Sequence, residues 1–380
     1  MTLFDEKNRT LEGPASHNSD PYTYYNDSNR SDISNVRNLI ESWFLHYPDK
    51  DKGDLKAQFK TDFYPSLFEL YVYTLFRALG FELEIHPIIP DTEKHPDFLA
   101  RQGENFFYIE VKYMKMKSSS EEGMEKIKRT IYDALDKTDA SNFLLELDEI
   151  QIKGTGQPSG KKIAAFFDQI LKSTDPDLYT TLLSSIGKLP PIVYEDEKIK
   201  IIAHLIPKSQ DKRGTQTRTI GIFQGELKIG DDQQDIKEYL KSKATRYGEL
   251  NAPYIICLNK QGVGLDIIEI QQALYGRLAM TYSENPENRD HKNEFSGDGF
   301  FGSKSNPQFT RVSGVYITNA GDANLSTTCD HVFRHNPYAK YPVNFTLEQS
   351  AKDILNIPAS YPYNEGEQPD WLASLFNGKE

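Results

Sequence analysis

The sequence has few features of a secreted or membrane-bound protein. No apolar run approaches the roughly 18 residues that a bilayer span requires. The first residues, MTLFDEKNRTLEGPASHNSD, contain no apolar signal-peptide core. The chain has only 2 cysteines, Cys257 and Cys329, which excludes a disulfide framework. We therefore expect a cytoplasmic globular protein without a membrane partner.

An excess of positive charge is also missing. The chain has 44 Lys and Arg against 56 Asp and Glu, a formal net charge of −12. Such a balance argues against a surface that attracts nucleic acid everywhere, but it allows a local basic cleft. The 380 residues are 38% hydrophobic, which is enough to bury at least one sizeable core.

Three regions follow from composition and periodicity. Residues 1–30 are rich in Asn, Asp, Ser and Tyr without a hydrophobic period, which predicts a flexible arm. Residues 31–207 predict a helix, three strands, a second helix and a further strand, and residues 208–380 predict more alternating strands and helices. This order indicates an α/β or α+β protein with a central mixed sheet.

The segment HPDFLARQGENFFYIEVKYMK, residues 95–115, places charged residues inside a strand-like pattern. Residues i and i+2 of a strand share a face, so Glu110 and Lys112 should lie side by side while Val111 points into the core. A hairpin would bring Asp97 close to Glu110, and two converging carboxylates repel unless a cation holds them. Mg²⁺ suits these carboxylates together with the Val111 carbonyl. Lys112 could then orient a metal-bound water and stabilise charge that develops on a phosphate.

Pro96-Asp97 followed by Glu110-Val111-Lys112 resembles the motif of the PD-(D/E)xK phosphodiesterase superfamily, which includes restriction endonucleases and Holliday-junction resolvases. The resemblance implies that residues 31–207 form a restriction-endonuclease-like core, a mixed sheet flanked by helices, with a C-terminal α/β extension. It implies Mg²⁺, with Mn²⁺ as a substitute, held by Asp97, Glu110 and Val111. It also implies a catalytic role for Lys112 and for Glu69, because members often carry an acidic residue on the helix before the first strand.

Further stretches resemble an uncharacterised bacterial branch of this superfamily. They are SLFELYVY, HPDF, IPK at 206–208, YGELNAPYIICLN and HNPYA at 335–339. Some relatives in that branch replace the motif lysine, whereas this chain keeps Lys112. The resemblance implies an endonuclease acting on DNA in bacterial defence or DNA processing, and it leaves a homodimer open.

An acidic protein that binds DNA needs a local basic surface, and the lysines that follow the motif strand are the nearest supply. The candidates for contacts with the nucleic-acid backbone are Lys115, Lys117, Lys126, Lys128, Lys161 and Lys162.

Other functions remain open at this stage. The protein could be a nuclease that cleaves RNA, a nucleic-acid-binding module without turnover, or a scaffold for protein interactions. Cys329, His331 and His335 could ligate zinc, but a strand that ends in an Asn-Pro turn explains these residues equally well.

Overall fold

The computed structural model divides the chain into two compact units. Unit 1 comprises Met1–Gly13, Pro21–Met116 and Gly230–Glu380, and unit 2 comprises Pro14–Asp20 and Lys117–Ile229. The structure describes residues 1–90, 92–114, 119–154, 156–187, 189–223, 232–248, 250–260, 265–282, 291–322, 324–325, 329–344 and 354–355.

The regular elements of the described residues are numbered here in chain order. The helices are α1 (Pro21–Asp27), α2 (Ser31–Leu45), α3 (Lys52–Thr61), α4 (Phe63–Ala78), α5 (Ser119–Leu135), α6 (Gly160–Ser173), α7 (Pro176–Ile186), α8 (Asp232–Ala244) and α9 (Ile267–Tyr275). The strands are β1 (Glu82–Ile85), β2 (Phe98–Gln102), β3 (Asn105–Tyr113), β4 (Phe143–Ile152), β5 (Ile192–Glu195), β6 (Ile199–Pro207), β7 (Ile220–Phe223), β8 (Tyr254–Asn259), β9 (Leu278–Tyr282), β10 (His291–Phe295), β11 (Gly302–Ser303), β12 (Asn306–Pro307), β13 (Gly314–Thr318) and β14 (His331–His335).

Unit 1 is built on a mixed sheet of 6 strands in the order β1-β2-β3-β8-β13-β14. The first three strands form an antiparallel meander, β3 and β13 each pair in parallel with β8, and β14 closes the sheet in antiparallel orientation. β9 pairs with β10, and β11 pairs with β12, as separate short ribbons.

Both faces of this sheet are covered. Ile255 and Cys257 of β8 pack in one apolar cluster with α4, whereas Ile256 and Leu258 pack in a second cluster with α8 and α9. Every residue of β8 is buried. A central parallel strand with both faces covered is expected to be a continuous apolar run, which explains the sequence YIICLN.

Helix α4 supports the first face because apolar side chains occupy most of its circumference. Ten of its 16 residues are buried, and it packs against β1 and β3. Pro65 lies in its first turn, and Gly80, with φ of 89°, follows the C-cap residue Leu79. Both positions agree with the preference for Pro early in a helix and for Gly just past its end.

Unit 2 has its own sheet and core. Its 4 strands lie in the order β5-β6-β4-β7, with β4 antiparallel to β6 and parallel to β7. Helices α5 and α6 contact each other and supply one side of the apolar cluster. Leu145 and Leu147 of β4 supply the other side.

The predicted division of the chain at residue 207 differs from the observed units. Strands β8, β13 and β14, which follow residue 208, extend the sheet that begins with β1–β3, so they are not a separate C-terminal region. The helix and strand predicted after β3 are α5 and β4, and they lie in unit 2. Hydrophobic periodicity reports which face of a strand is buried but does not identify a distant pairing partner.

The predicted flexible arm at residues 1–30 is wrong. Leu3 and Phe4 are buried, and α1 contributes Tyr22 and Tyr25 to the same cluster as α4. The Glu41 carboxylate accepts hydrogen bonds from the backbone N–H groups of Leu3 and Phe4. Scattered aromatic side chains anchor this segment although it has no regular period, because burial of large aromatic rings is strongly favourable.

The fold class is α+β, with mixed sheets flanked by helices, as predicted. Among the described residues, no helix combines the length and the apolar character that crossing a membrane would require.

Candidate functional site

The β2–β3 hairpin sets the positions of Asp97 and Glu110. Gly103, with φ of 61°, allows the tight turn, because this left-handed conformation favours glycine. Phe98 pairs with Ile109, so Asp97, which immediately precedes β2, comes opposite Glu110. Residues directly opposite each other in an antiparallel pair point to the same face. The hairpin thus places these two carboxylates on one face, where the charge of Glu110 acts on Asp97. In the described part of the chain, Asp97, Glu110 and Glu69 do not form a close group of three potential metal ligands.

Asp97 is held at the beginning of β2 by its backbone and by its side chain. Its carbonyl accepts a hydrogen bond from His86 N–H at 3.0 Å, and its Oδ2 accepts one from Val111 N–H at 2.5 Å. Burial raises the pKa of Asp97 far above the ordinary 3.8, and the negative charge of Glu110 raises it further. The Val111 hydrogen bond opposes this rise because it favours the ionised form.

Glu110 is a fully buried carboxylate with cationic partners. It is 0% exposed, and Lys243 of α8 binds its Oε1. Arg246 donates to the same oxygen at 3.1 Å, and the Tyr247 hydroxyl donates to Oε2. Burial, together with the charge of Glu110, raises the pKa of Tyr247, so this hydroxyl stays protonated as a donor. These three partners compensate for the removal of a charge from water.

Lys112 lies two residues beyond Glu110 and faces the same helix. Its Nζ lies 5.4 Å from the centre of the Tyr239 ring of α8. Val111, between them, packs against the opposite apolar cluster, as the strand alternation predicts. Glu110 and Lys112 therefore share the α8 side of the sheet.

Glu69 approaches from α4. The Tyr47 hydroxyl donates to its Oε1 at 3.3 Å, and burial raises the pKa of Glu69 from 4.5 to about 7. The charge of Glu69 also contributes to the raised pKa of Asp97, which places the two groups within electrostatic range. α4 packs against the face of the sheet opposite α8.

The donor atoms suit a hard divalent cation. Within the described part of the chain, no hydrogen bond reaches Asp97 Oδ1 or Glu69 Oε2. In an extended strand the N–H and C=O of one residue point to the same side, so the Val111 carbonyl is directed to the side of β3 where Asp97 lies. Mg²⁺ prefers carboxylate, carbonyl and water oxygens. A cation would also relieve the repulsion that raises the pKa of Asp97.

Four of the predicted lysines for nucleic-acid contacts belong to unit 2, whereas Asp97, Glu110 and Lys112 belong to unit 1. Lys126 and Lys128 lie on α5, and Lys161 and Lys162 lie in the first turn of α6, all in unit 2. Lys128 forms an ion pair with Glu125 at 3.8 Å, whereas Lys161 and Lys162 are exposed. The two remaining candidates, Lys115 and Lys117, lie outside the described residues.

Sequence reasoning missed Lys243, Arg246 and Tyr247 as partners of Glu110. A basic cluster that contains Lys243 and Arg246 is visible in QQDIKEYLKSKATRYG, but an exposed helix face explains such a cluster equally well. Tyr239 and Lys243 are four residues apart and therefore share one side of α8. This spacing indicates a common face, although it does not reveal that the face meets β3.

The alternative zinc ligands do not converge. Cys329 is buried near the Tyr71 hydroxyl, and His331 Nδ1 lies 3.1 Å from the Tyr316 hydroxyl. In the part of the chain that the structure describes, Cys329, His331 and His335 do not form a group of potential metal ligands.

Comparisons of the chain with protein-family models, with curated proteins and with solved structures gave no significant match.

Proposed function

We propose that this protein is a Mg²⁺-dependent endonuclease that hydrolyses phosphodiester bonds of DNA. The observation that carries the proposal is the placement of the Asp97 and Glu110 carboxylates on one strand face, where their charges interact and where Lys112 also lies. Burial and the charge of Glu110 raise the pKa of Asp97, and a strongly raised carboxyl pKa is typical of functional sites.

The order of elements in unit 1 supports a restriction-endonuclease-like core. The predicted core contains a helix, three strands, a helix and a strand. When the elements of unit 2 are set aside, α4, β1, β2, β3, α8 and β8 follow that order. Most of unit 2 is inserted between β3 and α8. The proposal therefore assigns the last helix and strand of the core to segments that lie more than 100 residues beyond the motif.

Each residue of the site has a role in this proposal. Asp97, Glu110 and the Val111 carbonyl would hold the cation, and Glu69 would be a further acidic group within electrostatic range of Asp97. A bound Mg²⁺ supplies a polarised water and neutralises charge on the phosphate. The Lys112 ammonium orients the attacking water and stabilises the charge that develops on the phosphate oxygens.

A second candidate function is a nucleic-acid-binding module of the same fold without turnover. The engagement of Glu110 favours it, because Lys243, Arg246 and Tyr247 already bind both oxygens of the carboxylate. In that case the cationic side chains take the place of a metal ion, and the cluster stabilises the fold.

A cleavage assay separates the two functions. The purified chain is incubated with supercoiled plasmid, linear duplex DNA and RNA, with Mg²⁺, with Mn²⁺ or with a chelator. We expect cleavage of DNA with either metal, none with the chelator, and a loss of at least 100-fold in Asp97→Asn. Glu104→Gln, in the exposed turn between β2 and β3, is the matched control and should cleave normally.

Two outcomes would count against the proposal of a DNA endonuclease. Binding of duplex DNA without cleavage under any metal condition would support the module without turnover. Cleavage of RNA but not DNA would retain the chemistry and change the substrate class. A role in bacterial defence or DNA processing is proposed on the family resemblance alone.

A further inference from the structure

The unit 2 sheet carries three potential metal ligands on the face opposite its apolar cluster. Glu146 and Asp148 belong to β4, and His204 belongs to β6 and pairs directly with Glu146. One ligand atom of each side chain lies within 4.8 Å of those of the other two. Leu145 and Leu147 alternate with these residues and point into the core.

A β-bulge directs Asp148 toward His204. The register of β4 against β6 shifts between Leu147 and Glu149, so Asp148 is an additional residue without a partner in the ladder. Bulges commonly re-aim a side chain. Here the result is a contact of 3.0 Å between Asp148 Oδ2 and His204 Nδ1.

Two of the three side chains have a buried atom whose hydrogen-bonding capacity is unused. Asp148 Oδ1 and His204 Nε2 are buried and have no hydrogen-bond partner among the described residues. His204 is only 9% exposed. A buried polar group without a hydrogen-bond partner destabilises the fold unless a ligand or water pairs with it.

Neither neutral tautomer of His204 gives both of its ring nitrogens a favourable hydrogen bond. With the proton on Nδ1, the imidazole donates to Asp148 but leaves the lone pair of Nε2 buried without a donor. With the proton on Nε2, the lone pair of Nδ1 faces a carboxylate oxygen at 3.0 Å, which is repulsive. A cation bound to Nδ1 and to the carboxylate oxygens would convert this second contact into an attractive one and would give Asp148 Oδ1 a partner, although it would leave the Nε2–H group without an acceptor among the described residues.

We propose that Glu146, Asp148 and His204 form a binding site for a first-row divalent transition-metal ion, with Zn²⁺ as the best match. One imidazole and two carboxylates suit Zn²⁺, whereas Mg²⁺ and Ca²⁺ prefer oxygen ligands alone. Ligand atoms bound to a tetrahedral Zn²⁺ at about 2.0–2.1 Å lie about 3.3 Å apart. The observed contact of 3.0 Å is close to that separation. Three protein ligands leave one position for water. This site is independent of the nuclease proposal.

Cobalt provides a direct test, because tetrahedral Co²⁺ absorbs visible light. The untagged full chain is first stripped of metal with a chelator and then titrated with Co²⁺. Excess Mg²⁺ is present so that it occupies the proposed site at Asp97 and Glu110. We expect one equivalent of Co²⁺ with intense visible bands, displaced by one equivalent of Zn²⁺. Absence of stoichiometric binding of both ions to the parent protein would overturn the proposal.

Variants locate the site. Asp148→Asn and His204→Gln should each weaken Co²⁺ binding by at least about 100-fold. Glu149→Gln, the exposed next residue on β4, is the matched control and should bind like the parent. Asp97→Asn should also bind Co²⁺ like the parent, and a loss of the bands there would overturn the assignment. Normal binding by His204→Gln would overturn it as well.

Thermal unfolding of the parent protein tests the site without any variant, so a variant that fails to fold does not affect this test. A ligand that binds only the folded state raises the melting temperature as its concentration increases. Zn²⁺ at micromolar concentration should raise the melting temperature of the parent in excess Mg²⁺. An unchanged melting temperature would contradict the proposed site.

Discussion

The Lys243 ammonium binds the Glu110 carboxylate, although 133 positions separate the two residues in the chain. Glu110 is fully buried, and the Lys243 side chain is 12% exposed. The pair joins the strand that precedes the unit 2 insertion to the helix that follows it. Both proposed functions of unit 1 depend on how this buried carboxylate is neutralised.

Replacement of Lys243 should destabilise the protein. Removing one partner of a buried ion pair leaves an uncompensated charge, which typically costs 3–5 kcal/mol. Arg246 and Tyr247 remain bound to Glu110, so we expect Lys243→Ala to lower the free energy of unfolding by about 3 kcal/mol. Chemical denaturation at pH 8 with a chelator present measures this loss. Lys241→Ala, exposed on the same helix, is the control and should change the stability by less than about 0.5 kcal/mol.

Magnesium should partly restore the stability of Lys243→Ala if the carboxylates hold a cation. The ion then supplies the positive charge that the lysine provided, so millimolar Mg²⁺ should raise the melting temperature of the variant more than that of the parent. An equal shift in both proteins would indicate that Glu110 does not contribute to cation binding.

Lys112→Ala should reduce cleavage with little effect on folding. Its contact with the Tyr239 ring contributes about 0.5–1 kcal/mol, whereas its role in the proposed reaction is confined mainly to the transition state. We expect kcat to fall by about 100- to 1000-fold while KM changes little. Initial rates on linear duplex DNA measure both constants, with Lys241→Ala as control. If Lys112→Ala cleaves at the rate of the parent, Lys112 has a structural role.

Glu69 should make the stability of the protein depend on pH. Because its pKa is raised from 4.5 to about 7 in the fold, the folded chain keeps this proton over a range where the unfolded chain has released it. The free energy of unfolding should therefore fall as the pH rises from about 4.5 to about 7, by at most about 1.4 kcal/mol per pH unit for this proton.

Glu69→Gln should remove this contribution. We expect the variant to gain stability relative to the parent between pH 5 and pH 8, as measured by urea denaturation across that range. Glu82→Gln, an exposed residue at the beginning of β1, should keep the pH dependence of the parent. A Glu69→Gln profile parallel to that of the parent would show that Glu69 titrates normally.

Lysines at the first turn of α6 should contact the nucleic-acid backbone. Each phosphate contact releases counterions, so the double replacement Lys161→Ala/Lys162→Ala should lower the salt slope of duplex binding by about two units without changing sequence preference. Titrations at several salt concentrations measure the slope. Lys172→Ala, near the end of the same helix and paired with Asp168, is the control and should leave the slope unchanged. A slope that is flat already in the parent would instead favour a protein-interaction scaffold.

The local sequence pattern was sufficient to predict the β2–β3 hairpin, which carries Asp97, Glu110 and Lys112. The alternation of FFYIEVKYM places Glu110 and Lys112 on one face, and Gly103 allows the turn that brings Asp97 opposite Glu110. These relationships span at most 14 residues, so the geometry of adjacent strands determines them. The apolar helix with Glu69 was recognisable for the same reason, because helical spacing and its end signals are local.

The partners of the site depended on contacts between distant segments. A basic face on α8 looks the same in the sequence whether it meets water or Glu110, so Lys243 was not identifiable as a buried partner. Strand β3 likewise pairs with β8, which follows the unit 2 insertion in the chain. Other apolar strands of similar composition could pair with the same edge of β3, so the sequence does not single out β8. The bulge that brings Asp148 to His204 leaves no signature in the alternation of β4.

The sequence by itself determined the α+β class, the strands of the motif hairpin, and the shared face of Glu110 and Lys112. Each of these follows from steric and hydrophobic preferences that act within one or two turns of a helix or across one hairpin. Only the tertiary structure decided the division into two units, the burial of the N-terminal segment and the cations that neutralise Glu110. Those outcomes depend on which distant apolar and charged surfaces exclude water together, and that is a property of the whole folded chain.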